Sequence, residues 1–238
     1  MYSRNSPFEI EQQLPFHLVF GSYPDICANR SDAEILLKNL AVQYLYKGIL
    51  IWKDLRKPFL LDKLLKLLAY QMGSQVSLNE LGNQLQVKTE TIERYLDLLE
   101  KSFVVFRLTG CSTNERKEIT KMSKMYFWDN GIRNAIISKF EDLSIRQDVG
   151  QLWENFIISE RMKMIAWSAK DVKSYFWRNY NQSEVDYVEL ENGKLRGYEM
   201  KWGKSATQKI SKAFSNAYPD ASGEIISPRN FTGFAGVE

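Results

Sequence analysis

Two acidic residues and a lysine in the last third of the chain have the types and spacing of a metal-dependent hydrolytic site. Glu199 and Lys201 are separated by one residue, so on a β-strand both side chains would point to the same face. Asp186 precedes them in a segment of alternating apolar and polar residues, and Glu154 lies in an earlier helical segment. Two carboxylates can hold Mg²⁺, which prefers oxygen ligands and can acidify a bound water. Lys201 could then orient or deprotonate that water, or neutralise charge developing on a phosphate.

The other reactive residue types point away from competing chemistries. His17 is the single histidine, which leaves little room for a Ser-His-Asp triad or a histidine-rich zinc site. Cys27 and Cys111 have no C-x-x-C spacing, and we interpret both as packed thiols. Any hydrolytic chemistry should therefore rest on carboxylates, lysine and a hard metal ion. The alternative for Glu199 and Lys201 is that they line an exposed sheet face and do no chemistry.

The elements that must position these residues are predicted from the pattern of the last hundred residues. Apolar periodicity predicts a helix, three strands, a second helix and a final strand. Asn192-Gly193 predicts a tight hairpin turn, which would place the strand of Asp186 beside that of Glu199 and Lys201. In chain order, the expected elements are 148–167, 173–177, 184–190, 195–202, 206–217 and 223–227.

This order of elements, with acids at these positions, resembles the PD-(D/E)xK nuclease superfamily. That family's core is a helix, a three-stranded meander, a helix and a strand, with Asp on the second strand and Glu-x-Lys on the third. A further Glu often comes from the first helix. The resemblance implies Asp186, Glu199, Lys201 and Glu154 as catalytic residues. It also implies Mg²⁺ as the cofactor, with Asp186, Glu199 and Glu154 as its ligands, and a DNA phosphodiester as the substrate.

Residues 58–140 read as a winged helix-turn-helix. Ser77-Leu78-Asn79-Glu80 is a capping box, and a second helix follows from Thr89 to Lys101. The polar stretch 109–124 would form the wing. Five basic residues are candidates for contact with nucleic acid: Arg116, Lys117, Lys121, Lys124 and Arg178. Glu90, Glu93 and Asp97 weaken the case for the helix itself as a groove-reading element, so a packing or hinge role stays open.

Longer motifs resemble the C-terminal part of a prokaryotic AAA-type ATPase family, in the family's order: 20–24, 91–100, 126–131 and 148–155. Family members begin with an ATP-binding core. This chain contains no G-x-x-x-x-G-K-[ST], because Gly203-Lys204-Ser205 lacks a glycine at the required distance. We therefore expect no ATP site and no ATPase activity from this chain alone, and a separate or missing AAA core as a partner.

The predicted fold class is α/β (α+β), with a winged helix-turn-helix followed by a restriction-endonuclease-like αβββαβ domain. The expected domains are 1–57, a helical remnant following a missing AAA core; 58–140, the winged helix; and 141–238, the nuclease-like domain.

Composition leaves two functional hypotheses open. The net charge of +3 is too small to demonstrate a nucleic-acid partner by itself. No apolar run approaches the ~20 residues of a membrane span, so we expect a cytoplasmic protein. The first hypothesis is an enzyme, a module performing Mg²⁺-dependent DNA cleavage. The second is a non-catalytic DNA- or protein-binding module that regulates an ATPase.

Overall fold

The computed structural model describes residues 7–43, 58–111, 123–203 and 210–236. The chain divides into two compact units. The N-terminal unit contains the described residues of 15–107 and 124–147, and the C-terminal unit contains those of 1–14, 108–123 and 148–238. Residues 15–43, which the sequence assigns to a separate segment, thus share one unit with the helices that follow residue 57.

Helices dominate the described residues up to residue 147. The helices are α1 Pro7–Phe20, α2 Pro24–Ala28, α3 Ala33–Ala41, α4 Pro58–Tyr70, α5 Leu78–Leu85, α6 Thr89–Lys101 and α7 Asn130–Ile136. The strands are β1 Gln75–Val76, β2 Val105–Gly110 and β3 Ser123–Phe127, in the order β1-β3-β2. Short 3₁₀ turns lie at Arg30–Asp32 and Leu143–Ile145.

Local sequence explains where the helices after residue 57 begin and how they pack. The Ser77 side chain accepts a hydrogen bond from the Glu80 N–H at 3.3 Å, which confirms the predicted cap of α5. On α6, the four buried residues recur at helical spacing and form one apolar stripe: Ile92, Tyr95, Leu96 and Leu99. The structure of residues 112–122, which include most of the predicted wing, lies outside the described residues.

The C-terminal unit has the predicted order of elements. They are α8 Val149–Ser168, β4 Val172–Arg178, β5 Glu184–Glu191, β6 Lys194–Met200, α9 Lys212–Ala217, β7 Ser222–Ile226 and α10 Phe231–Ala235. Strands β4, β5 and β6 form an antiparallel meander, and β7 pairs in parallel with β6. Asn192 and Gly193 both have positive φ, 51° and 77°, as the predicted hairpin turn requires.

Across the described residues the strands form a seven-stranded mixed sheet in the order β1-β3-β2-β4-β5-β6-β7. Strand β2 begins in the N-terminal unit, and its last residues pair in parallel with β4, Thr109 with Tyr175 and Gly110 with Phe176. The chain is therefore a mixed α/β protein, as predicted.

The two faces of the β5–β6 pair are covered by different helices. On one face, Arg161 of α8 pairs with the buried Glu189, and the Tyr198 ring lies 4.7 Å from that of Phe234 in α10. On the other face, Phe214 of α9 packs with Val185 and Val188. Gly197 faces α9 as well, because a Cβ there would come within 2.9 Å of the Phe214 ring. Residues on β6 consequently alternate between the α8 side and the α9 side.

Candidate functional site

Asp186 and Glu199 lie at the same end of the β5–β6 ladder. The last paired residues at this end are Tyr187 and Tyr198. Asp186 lies one position before Tyr187 in β5, and Glu199 lies one position after Tyr198 in β6, so both lie just beyond this pair. The Asp186 Oδ2 accepts a hydrogen bond from the Met200 N–H at 2.8 Å. This bond holds the aspartate carboxylate against the backbone of β6, one residue from Glu199.

Glu199 is fixed by two contacts. Its Oε1 accepts a hydrogen bond from the Ser211 N–H at 3.0 Å, just before α9 begins, and its Oε2 lies 3.3 Å from the Lys201 Nζ. The Lys201 N–H donates to the Ile226 carbonyl at 2.9 Å, which ties the lysine backbone to β7. The glutamate side chain is 14% exposed and that of the lysine 41%, so the ammonium group opens to solvent. Asp186, Glu199 and Lys201 together are called the strand-end cluster below.

A β-bulge accompanies Asp186. Tyr175 pairs with Val188 and Trp177 pairs with Val185, so Phe176 of β4 stands opposite two residues of β5, Asp186 and Tyr187. A bulge changes the direction of the side chains it carries and interrupts regular alternation. The alternation expected for residues 184–190 is therefore interrupted at this point, because Val185 and Val188 are three residues apart and yet pack on the same face, against Phe214.

Glu154 does not join the other two carboxylates in a metal-binding group. It belongs to α8, which packs on the Tyr198 side of β6, whereas Glu199 lies on the opposite side, against the start of α9. Within the described ranges, no group of three or more His, Cys, Asp or Glu residues is arranged to hold a metal ion. The two carboxylates that the strand pairing itself brings to one end of the sheet are those of Asp186 and Glu199.

The remaining pair has the right donor chemistry for Mg²⁺. Both residues supply hard carboxylate oxygens. Each carboxylate oxygen has two acceptor positions, so the hydrogen bonds from Met200 and Ser211 do not use up the capacity of Asp186 or Glu199 to bind a cation. The donor set therefore fits Mg²⁺ at the level of ligand chemistry.

The predicted basic contacts are only partly described. Arg116, Lys117 and Lys121 lie outside the described residues. Lys124 is 3% exposed, because β3 is buried on both faces, and this burial removes Lys124 from the basic surface expected of the wing. Arg178 ends β4, with its Nε 3.8 Å from a carboxylate oxygen of Glu184.

The acidic residues of α6 are largely neutralised within the N-terminal unit. Arg107 of β2 bonds to Glu93 at 2.9 Å and to Glu100 at 3.2 Å, while Lys101 bonds to Asp97 at 2.8 Å. Burial raises the pKa of the Glu100 carboxyl above its usual range, and the nearby Arg107 charge only partly opposes this effect. Sequence reasoning missed this cluster, although the opposite charge on the strand after α6 was a visible indication of it.

A second polar cluster lies deep in the N-terminal unit and is called the buried polar cluster: Asp129, Arg133, Asn134 and Arg146. The Asp129 carboxylate accepts hydrogen bonds from the Ile132 N–H at 3.1 Å and from the Ser22 N–H at 2.7 Å, so it caps α7 and also holds the chain at Ser22. Gly21, at φ 75°, lets the chain approach so closely that a Cβ would overlap this carboxylate. The glycine of 20–24 and the aspartate of 126–131 thus meet in one structural contact.

Asn134 completes the buried polar cluster. Its Oδ1 accepts hydrogen bonds from Arg133 at 3.0 Å and from Arg146 at 3.1 Å, while its Nδ2 donates to the Val19 carbonyl at 2.8 Å. The polar side chains of this cluster form hydrogen bonds with the N–H groups at the start of α7 and with backbone carbonyl groups inside the fold. The cluster is therefore structural, and the strand-end cluster remains the candidate site.

Among the described residues, no helix is long and apolar enough to cross a membrane.

Comparisons with known proteins match both parts of the chain. Residues 149–231 match the model of a domain of unknown function, DUF4143. The "Uncharacterized protein Rv2008c" of Mycobacterium tuberculosis and the "Uncharacterized protein Mb2031c" of Mycobacterium bovis are each 31% identical over 157 residues, which cover 65% of this chain and 34% of theirs. The chain thus spans about a third of the length of these curated relatives. No solved structure matches it significantly.

The larger match lies in the helical part. Residues 11–143, more than half of the chain, match the model of a domain of unknown function, DUF8612. This range includes Gly21, Asp129 and Asn134, the contacts that hold the N-terminal unit together. The chain belongs to the DUF8612 family.

Proposed function

We propose that the C-terminal unit is a nuclease-like module that cleaves DNA phosphodiesters with Mg²⁺. The observation that carries the proposal is the strand-end cluster. In it the Lys201 ammonium lies 3.3 Å from the Glu199 carboxylate, and the Asp186 carboxylate accepts a hydrogen bond from Met200, the residue between Glu199 and Lys201. The order of elements in 149–226 supports the expected resemblance to PD-(D/E)xK enzymes.

Each residue of the cluster has a distinct proposed role. Asp186 and Glu199 would hold the metal ion, which when bound supplies Lewis acidity to a phosphate oxygen and lowers the pKa of a bound water. Lys201, which is partly open to solvent, orients or deprotonates the attacking water or neutralises charge on the phosphate. Glu199 also keeps the Lys201 ammonium at the strand end. Glu154 belongs to α8, which packs on the other face of β6, and we assign it a supporting role only.

The test is cleavage of plasmid and single-stranded DNA during titration with Mg²⁺ or Mn²⁺. Asp186→Ala and Lys201→Ala should each reduce cleavage by about 100-fold or more, as the loss of a charge-stabilising group does. Lys194→Ala is the matched control, because Lys194 is exposed at the opposite end of the same strand, and it should cleave like the wild type. Undiminished cleavage in both site variants would reject the proposal.

A non-catalytic regulatory role is the second candidate. It is favoured by the observation that, among the described residues, no group of three or more His, Cys, Asp or Glu residues is arranged to hold a metal ion. In that case the chain would bind DNA or a protein partner without cutting DNA, and wild-type protein would leave DNA intact at every metal concentration. DNA binding that weakens steeply with salt would then indicate phosphate contacts, and salt-independent binding a protein partner.

The wider proposal includes an AAA-type ATPase core as partner, within a longer protein or as a separate subunit, and a winged-helix role for residues 58–140. It rests on the resemblance of the motifs at 20–24, 91–100, 126–131 and 148–155 to that family. Action on DNA beside an ATPase would place the protein in the cytoplasm. Co-purification with a P-loop ATPase, lost when the N-terminal unit is removed, would support this part.

A further inference from the structure

The turn between β4 and β5 presents an aromatic side chain to solvent. Tyr180 is fully exposed, and Arg178 and Glu184 form the last pair of the ladder beside it. Exposure of one aromatic residue is common and carries no function by itself. Two further features of this turn support a role for Tyr180: its internal hydrogen bonds and its position relative to the strand-end cluster.

The turn is held by Asn179. The Asn179 N–H donates to the Ser183 carbonyl at 3.0 Å, and the Asn179 Oδ1 accepts from the Ser183 N–H at 2.9 Å. The Gln182 N–H donates to the Asn179 carbonyl at 3.1 Å, with Gln182 at φ 62°. An aromatic side chain on a fixed turn loses little conformational entropy when a ligand covers it, which favours binding.

The turn lies at the same end of the sheet as the strand-end cluster. Asp186 is two residues from Glu184, a distance of roughly 7 Å along an extended strand. Neighbouring nucleotides of a stacked strand are about 3.4 Å apart, so a strand with its phosphate at the cluster would reach Glu184 within about two nucleotides. The next bases would then lie over the turn that carries Tyr180, directly beyond the Arg178–Glu184 pair. Arg178 and Lys201 place two cations at this end, where a phosphate backbone would run.

We propose that Tyr180 stacks on an unpaired base, so that the preferred ligand of the C-terminal unit is single-stranded nucleic acid or the frayed end of a duplex. A tyrosine ring can stack on any base, which gives binding with little sequence preference. In an intact duplex each base is already stacked on its neighbours and offers no free face. This inference deepens the proposed function and relies on it for the position of the reacting phosphate.

The test measures the Kd of the full chain for a fluorescent oligothymidylate and for a blunt duplex. EDTA is present, so the measurement reports binding and does not depend on cleavage. Tyr180→Ala should weaken binding of the single strand about tenfold, as expected for the loss of one base stack, and affect the duplex much less. Tyr180→Phe keeps the ring and should bind like the wild type. Tyr70→Ala is the control for loss of an exposed tyrosine elsewhere, since Tyr70 is 65% exposed, and should change nothing.

A second measurement reports stacking directly. An oligonucleotide with a single 2-aminopurine should lose emission on binding when that base lies against Tyr180, and Tyr180→Ala should abolish the change. The inference is overturned if the wild type binds no single strand, if Tyr180→Ala binds like the wild type, or if single strand and duplex lose affinity equally.

These binding results are independent of the nuclease test. If Tyr180 is required for binding but no DNA is cut, the proposed cleavage fails and the stacking role stands. If Asp186→Ala abolishes cleavage while Tyr180→Ala changes neither binding nor 2-aminopurine emission, the stacking role alone fails.

Discussion

The buried polar cluster of the N-terminal unit and the strand-end cluster of the C-terminal unit contain similar types of residue in different environments. Asp129 and Asn134 are buried, and their oxygens accept hydrogen bonds from Ser22, Ile132 and two arginines. At the strand end, Glu199 is largely covered, but the Lys201 side chain is 41% exposed. An acid with buried partners stabilises a fold, whereas acids beside a solvent-facing lysine can meet a ligand.

This difference shows that the identity of polar residues is a weak guide to their role, and that burial and the nature of their partners decide it. Charges in the buried polar cluster compensate helix ends and carbonyl groups, which would otherwise be buried without hydrogen bonds. Mutations should therefore affect stability in one cluster and ligand chemistry in the other.

The largest effect on stability should come from Gly21. Gly21→Ala places a Cβ against the Asp129 carboxylate and adds left-handed strain, so the α7 cap and the Ser22 bond are disrupted together. We expect the free energy of unfolding in urea to fall by about 3 kcal/mol. Gly193→Ala is the control, since Gly193 has φ 77° with open space around it, and should cost about 1 kcal/mol. Equal losses would show that backbone strain alone matters at Gly21.

Glu100 provides an intermediate case, because it is partly buried and paired with Arg107. Its pKa is raised in the folded state, so folding favours the protonated form. The contribution of Glu100 to stability is therefore most favourable at low pH and is lost as pH rises through the raised pKa. Relative to Glu100→Gln, the wild type should lose unfolding free energy from about pH 4 upward, by less than about 1 kcal/mol in total. A difference that is constant with pH would contradict the raised pKa.

The smallest effect on stability should come from Lys201. Lys201→Ala removes an ion pair in which the lysine is 41% exposed, and Glu199 keeps its hydrogen bond from the Ser211 N–H, so the loss should be about 0.5 kcal/mol, as for surface ion pairs. Thermal unfolding of this variant should nearly coincide with that of the wild type, even if DNA cleavage is lost. A loss comparable to that of Gly21→Ala would mean that the strand-end cluster is structural, and the comparison between the two clusters would fail.

The sequence predicted the features that depend on neighbouring residues. The cap at Ser77, the bounds of α6 and the turn at Asn192-Gly193 are all confirmed. Each of these signals is contained within a few positions of the chain, where hydrogen-bond geometry leaves few alternatives. Strand order in the meander followed from the short connections.

Features set by distant contacts were not predicted. The burial of Lys124 depends on both faces of β3 being covered, and the bulge at Asp186 depends on the register of β4. Strand periodicity alone contains neither piece of information. The packing of α8 is a similar case, since helical spacing indicates which side of a helix faces a sheet but not which side of that sheet the helix covers.

The parallel pairing of β2 with β4 has a consequence for the newly made chain. Thr109 and its partner Tyr175 are 66 positions apart, so the end of β2 leaves the ribosome before β4 has been synthesised. At about 5–20 residues per second, the interval lasts about 3–13 s. The β4–β5 hairpin, by contrast, closes almost as soon as it emerges. The edge formed by the end of β2 is thus open to incorrect strand pairing during translation, and proteolysis of ribosome-stalled chains should cut there until β4 has emerged.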